Sequence, residues 1–289
     1  MKKFSLMPFV AVYVCSLCSC SEDVQPVVKE VETVPVTFSC RGDFDLQTQA
    51  MTRGELTADG KQLTDIWILD YVGEILQQQL HQVSTDADFG TPTLNLSVGS
   101  HNIYFVASRG KSPTLNTDAH TITFATVLDT FYKSLSMNVV ASSANGSQSV
   151  ELDRCVTKMK VSFTDAIAED AATINITPHT WYYAIDYLTG EPTGAATDQT
   201  ITINIPASEI GSTTTTANIY GFSGTDEWTT DISLNSKDAD GDIIGSAYIT
   251  AAPFRQNRIT SYSGPLFSGS DALGISLSSE WLNEYTATW

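Results

Sequence analysis

The chain has 289 residues, 33 of them acidic and only 15 Lys+Arg, for a net charge of −18. That balance excludes a nucleic-acid partner, which needs a Lys/Arg surface against phosphates, and excludes anionic membranes bound through a basic patch. Charged residues are 17% of the chain, below the usual quarter or so, which disfavours helical bundles with their Lys/Glu-rich faces. Ile, Val, Tyr, Phe and Trp run along the whole length, which argues against disorder. At roughly 150 residues per domain the length predicts about two domains.

Residues 1–19 predict a secretory signal: Lys2 and Lys3 precede an apolar stretch, 6–17, too short to span a bilayer. Residues 17–20, Leu-Cys-Ser-Cys, resemble a bacterial lipobox with Ser19 before the cut and Cys20 after it. Cys20 is therefore the expected lipidation site, and several acyl chains on one residue anchor stably. Residues 20–33 form a Val/Glu-rich stem. Cys15 and Cys18 leave with the signal, so Cys40 and Cys155 are the remaining thiols. An export compartment permits a disulfide; two buried, inert thiols are the favoured reading.

Residues 34–40 predict a first strand, followed by a polar stretch, 41–62, containing Arg41, Arg53 and Gly54. Residues 63–72 (LTDIWILDYV) carry large apolar side chains in both alternation phases, the pattern of a strand covered on both faces. Gly73 and Glu74 predict a hairpin turn, returning as a strand through residue 83. Shorter strands are expected at 93–98, 102–108, 120–126 and 134–140, and 141–148 reads as a linker. In 155–163, Cys155, Met159, Val161 and Phe163 share a buried face, while Arg154, Lys158 and Lys160 predict a solvated one. Further strands are expected at 174–176, 201–205, 217–222, 243–251 and 275–281.

Chemistry-bearing motifs are sparse. His81, His101, His120 and His179 are scattered, and each is expected at the surface or a strand end. Asp238, Asp240 and Asp242 resemble the start of a calcium loop, but Ile243 and Ile249 stand where such a loop needs Gly and Glu. A polar hairpin turn is the expected reading. Arg41-Gly42-Asp43 is an adhesion-type tripeptide that also arises by chance. Trp181, Tyr182 and Tyr183 suit a sugar platform or, more simply, a sandwich core. No catalytic residue, cofactor or metal is expected, and the chain is not expected to be an enzyme.

The lipobox, residues 63–72, 99–109 (GSHNIYFVASR), 153–160 and 253–260, with Gly264 and Phe267, together resemble the fimbrillin superfamily of Bacteroidetes-type surface lipoproteins, its anchor and minor-subunit branch above all. The resemblance implies an all-β chain of two tandem transthyretin-like/Ig-like β-sandwich domains, 34–148 and 149–289. It also implies a structural subunit of cell-surface fimbriae, anchored through Cys20 to the outer membrane. Its partners would be other fimbrial subunits, joined by β-strand donation. In stalk subunits of that superfamily an Arg-specific protease removes the first strand, and Arg53–Gly54 is the matching bond here. Residues 282–289 would be a donor segment. The alternative is a surface lipoprotein binding a glycan or host ligand as a fimbrial tip adhesin.

Overall fold

The computed structural model describes residues 32–42, 62–141 and 146–268, and the backbone of 274–277. Cys20, Arg53, Gly54, the signal, nearly all of the stem and 282–289 lie outside the described residues. In chain order the strands are β1 (Thr33–Arg41), β2 (Asp65–Val72), β3 (Ile75–Val83), β4 (Thr93–Ser97), β5 (Gly99–Ser108), β6 (Lys111–Asn116) and β7 (Thr121–Thr126). Then come β8 (Thr130–Val139), β9 (Ser147–Glu151), β10 (Asp153–Arg154), β11 (Val156–Phe163), β12 (Thr173–Pro178) and β13 (Trp181–Asp186). The last are β14 (Pro192–Ala196), β15 (Ile201–Asn204), β16 (Thr216–Phe222), β17 (Trp228–Lys237), β18 (Ile243–Phe254), β19 (Ile259–Gly264) and β20 (Gly274–Leu277). The expected all-β fold of tandem sandwiches is what the strands build.

The first sandwich packs a three-stranded sheet, β4-β1-β9, on a five-stranded one, β10-β8-β5-β2-β3. Its core holds Val36 and Phe38 from β1, Leu94 and Leu96 from β4, and Ile66, Ile68, Ile103 and Phe105 from the facing sheet. The second sandwich packs β16-β11-β19-β20 on β15-β12-β17-β18 around Met159, Val161, Ile174, Ile176, Leu234 and Tyr262.

The double-phase pattern of 63–72 has its cause here. Ile66 and Ile68 enter the first core, whereas Leu69 and Tyr71 belong to the other core cluster. A register shift between Asp70 and Tyr71 marks a bulge near the end of β2. The turn at Gly73 and Glu74 joins β2 to β3, with Gly73 at φ +62.

The outer face of the five-stranded sheet is covered by a hairpin that pairs elsewhere. β6 and β7 belong to a separate sheet, β14-β13-β7-β6, in which Ile122 pairs with Ile185 and Thr123 with Ala184. Ile122 and Phe124 then pack in one cluster with Leu69, Tyr71 and Val106. Tyr71 and Tyr187 close the contact through their hydroxyls at 2.9 Å.

A buried ion pair sits where the halves meet. Arg154 Nε donates to Asp129 Oδ1 at 2.6 Å and Nη2 donates to Oδ2 at 2.9 Å, both side chains almost wholly buried. Nη1 donates to Asn257 Oδ1 at 3.2 Å, and Gln256 Nε2 donates to the Arg154 carbonyl at 2.7 Å. The guanidinium lies 4.7 Å above the Phe131 ring. The expectation of a solvated face is therefore corrected for Arg154 and Lys158. Arg154 is 6% exposed and Lys158 7%, with the Lys158 ammonium 5.5 Å from the Tyr220 ring centre. β11 is an inner strand, between β16 and β19, so Lys158 on its second face is covered by neighbours, whereas Arg154, in β10, is covered at its contact with Asp129, and Lys160 is half-buried.

At the far end, Asp165 accepts backbone N–H bonds from Leu266, Phe267 and Ser268, the last two at 2.7 Å. Burial opposes the charge, but these donors outweigh it and hold the carboxyl below the usual Asp range.

Arg154→Met leaves Asp129 buried and without its guanidinium, and is expected to cost about 3–5 kcal/mol in urea unfolding; adding Asp129→Leu should recover a large part of that. The Asp165 carboxyl is lowered on folding, so its contribution is complete above the unfolded pKa of ~3.9 and fades as pH falls through the lower folded value. The stability gap between wild type and Asp165→Asn should therefore narrow on acidification, read by denaturation at a series of pH values.

Candidate strand-exchange groove

The first strand is the inner strand of its sheet. β1 runs antiparallel to β4, with Val34 opposite Leu96 and Val36 opposite Leu94. On its other side it runs parallel to β9, with Phe38 opposite Gln148 and Cys40 opposite Val150. The two contacts are staggered, and Thr37 is the residue they share. Even-numbered N–H groups face the β4 side: Phe38 N donates to Pro92 O at 2.8 Å and Cys40 N to Gly90 O at 2.9 Å. Thr37 N donates the other way, to Gly146 O at 3.2 Å. Pro35, also odd-numbered, therefore has its missing donor on the side away from β4, so that ladder loses no bond.

Side chains alternate as the period of two requires. Val36 and Phe38 are 0% exposed and Cys40 4%, while Pro35 and Arg41 are solvent-facing. The Phe38 ring meets Phe105 edge-on at 5.4 Å. Three alternate side chains thus fill a slot between two strand edges, the arrangement by which one segment is held by main-chain pairing and pockets. The loop before β4 is shaped by Gln82, which is 2% exposed. Its Nε2 donates to Asp88 O at 3.0 Å and its Oε1 accepts from Gly90 N at 3.1 Å. This fixes the carbonyls that receive β1.

At the entry end, where Thr33 pairs with Ser97, three strands are tied through one histidine. His101 Nδ1 lies 2.7 Å from Asp70 Oδ1, and Nε2 lies 2.8 Å from the Ser97 carbonyl, with His101 and Asp70 both buried. Both ring nitrogens face acceptors. Burial pushes the Asp70 carboxyl up, against the downward pull of His101. Ser97 Oγ is 3.2 Å from Nε2, giving the order of a Ser–His–Asp relay. The shorter bond to the carbonyl takes the Nε2 hydrogen, so the nitrogen is no base for that hydroxyl. The group braces β4 against β2 and β5. Sequence spacing did not reveal it; an acid inside a strand buried on both faces was the available signal, since such a charge needs a partner.

The other expected residues separate cleanly. His81 lies at the surface of β3, bonded to Asp65 at 2.7 Å and stacked on Trp67. His179 is exposed near Asp198, and His120 occupies the β6–β7 turn at φ +55. His101 departs from the surface expectation. Asp238 Oδ1 accepts from the Asp240 and Asp242 amides, making the β17–β18 hairpin turn, with Gly241 at φ +92. No group of three or more metal-ligating residues occurs among the described residues. Arg41 and Gly42 are exposed where β1 ends, and Asp43 lies outside the described residues. Trp181 is fully buried, its Nε1 donating to Tyr220 O at 2.9 Å across a site where Gly221 leaves no room for a Cβ. Cys40 and Cys155 are free and buried, in different cores. Burial pushes the Cys40 thiol up to about 12, and Cys155 higher, which makes both unreactive.

Residues 112–289 match a family of unknown function, DUF6562. The chain belongs to this family. The match starts inside β6 and takes in the whole second sandwich. No curated protein matches the chain. Among solved structures, a candidate cell adhesion protein from Bacteroides ovatus aligns at 12% identity and TM-score 0.50, over 89% of this chain and 99% of its own, and shares the fold. A candidate adhesin from Bacteroides ovatus aligns at 11% identity and TM-score 0.49, over 91% and 97%. The tip fimbrial protein Mfa3 from Porphyromonas gingivalis aligns at 12% identity and TM-score 0.45, over 86% and 100%.

Phe38→Ala is expected to destabilise the first sandwich by about 3–5 kcal/mol through the cavity it leaves, whereas half-buried Ser39→Ala should change little. Urea unfolding of both variants checks the pocketed role of the alternate side chains.

Proposed function

We propose that this DUF6562 protein is a non-enzymatic structural subunit of cell-surface fimbriae, an anchor or minor subunit joined to its neighbours by β-strand donation. The observation that carries the reading is β1 itself. A first strand, hydrogen-bonded on both sides and seated in pockets by Val36, Phe38 and Cys40, has the contacts that strand donation uses and supports this reading. Without it the sheet has two unpaired edges over an apolar floor, a state that demands another strand. The candidate cell adhesion protein of the same fold is consistent with a surface role.

In this reading residues 1–19 direct export, Cys20 carries lipid into the outer membrane, and 20–33 is a stem leading into β1. The domains of this reading are 34–148 and 149–289, with β9 and β10, which span and follow that boundary, completing the sheets of the first, and the β6–β7 hairpin lent by the first to the sheet of the second. As an anchor, the chain keeps β1 and ends the polymer. As a stalk subunit it would be cut at Arg53–Gly54, releasing Cys20 with β1.

Mass spectrometry of surface fractions tests this. The expected species begins at an acylated Cys20, co-purifies with sheared fimbriae, and leaves the membrane fraction on Cys20→Ala. An N-terminus at Gly54, abolished by Arg53→Ala, would replace the anchor assignment with a stalk one. Fimbriae of unchanged length and attachment in cells lacking the chain would overturn the fimbrial reading.

A further inference from the structure

The sheet β15-β12-β17-β18 turns Ile174, Ile176, Leu234 and Ile249 into the second core, so the residues between them form its outer face. The ladder registers set that face in rows across the strands. Thr202, Asn175, Asn235 and Ser246 make one row. Thr200, Thr177, Ser233 and Tyr248 make the next, with the Thr177 and Thr200 hydroxyls 2.8 Å apart. Neither row holds a charged side chain, on a chain with 33 acidic residues and 15 Lys+Arg. Charges stand beyond the rows instead: Lys237 at one end, opposite Thr173, and His179, Asp198 and Asp231 at the other. Thr200, Thr202, Ser246 and Tyr248 are exposed, Thr177, Ser233 and Asn235 half-exposed, and Asn175 is buried among them. The side chains of Thr202, Ser233, Asn235 and Ser246 take no hydrogen-bond partner among the described residues. Tyr248 is 51% exposed, and its hydroxyl donates to Asp231 Oδ2 at 2.9 Å, which holds the ring by its far end.

That combination selects the ligand chemistry. With no cation in the rows, phosphates and other strong anions find no partner, and with no carboxylate a cationic segment finds none either. A protein surface needs an apolar centre, and serine is depleted at such interfaces, so a face of Ser, Thr and Asn with one aromatic ring suits it poorly. Hydroxyls and a carboxamide donate and accept at once. Set beside an exposed ring, they match an uncharged ligand with hydroxyls on its rim and C–H bonds on its faces. The face is flat and meets a ligand from one side only, so single sugars gain little there and contacts must add up over several linked units. We infer that this face binds a neutral polysaccharide chain laid across the strands. Tyr248 carries one sugar ring, and Thr202, Ser233, Asn235 and Ser246 bond to hydroxyls of the chain. The inference goes beyond strand exchange and stands whether or not β1 is ever replaced.

The test is affinity electrophoresis of the purified full chain in native gels cast with galactomannan, laminarin or yeast mannan and, for comparison, the acidic polymer polygalacturonate. At least one neutral polysaccharide is expected to retard the chain. Tyr248→Ala should weaken that retardation by about tenfold, the scale of one stacked aromatic contact. Thr202→Glu, on the opposite edge strand, should weaken it as well by setting a charge in the uncharged row. Both positions are exposed, so both variants keep the wild-type melting temperature within a few degrees or so, which separates lost binding from lost folding. Migration unchanged by all three neutral polymers, retardation by polygalacturonate alone, or wild-type affinity in either folded variant overturns the assignment.

Discussion

A sheet that is apolar on both faces cannot be satisfied by one partner, and the rest of this molecule follows from that constraint. Ile66, Ile68, Ile103 and Phe105 point into one core; Leu69, Tyr71 and Val106 point into the other. One side is closed by the small sheet carrying β1. The other is closed by the β6–β7 hairpin, which leaves its neighbours in sequence and pairs with β13. Hydrophobic burial thus explains why the two sandwiches share a sheet instead of hanging on a linker. The polar contacts at the same boundary add direction to that burial. Asp129, Arg154 and Asn257 tie the residue before β8 to β10 and to the turn before β19.

Much of this was legible in the residues. The alternation of 34–40, the turn at Gly73 and Glu74, and the double phase of 63–72 each encode local geometry, and each appears as a strand or hairpin in place. Strands whose stability comes from a distant partner were not legible. β6 is polar and contains Pro113, so nothing local marks it; its order comes from pairing with β7. β13 carries apolar residues in both phases and read as an aromatic patch, though Trp181 is fully buried. Arg154 and Lys158 read as solvated because period-two alternation cannot tell an outer face from a second buried one.

The groove and the Asp70–His101 contact were legible to different degrees for the same reason. Val36, Phe38 and Cys40 share one face of one strand, so their role is written in a single short stretch. Asp70 and His101 come from two separate strands, and only the fold brings them together. Their 2.7 Å contact joins strands that are neighbours in the sheet but separated in the chain by β3 and β4.

The stagger of β1 has a mechanical consequence. β4 grips its leading half from Thr33 to Thr37, and β9 grips its trailing half from Thr37 to Arg41. A tension applied at the Thr33 end runs along the strand axis. The flanking ladders then carry the load together, in shear, instead of opening one bond at a time like a zipper. The three buried side chains must also leave their pockets in the same step. A chain tethered ahead of Thr33 would therefore yield to pulling only at forces that break the first sandwich as a whole.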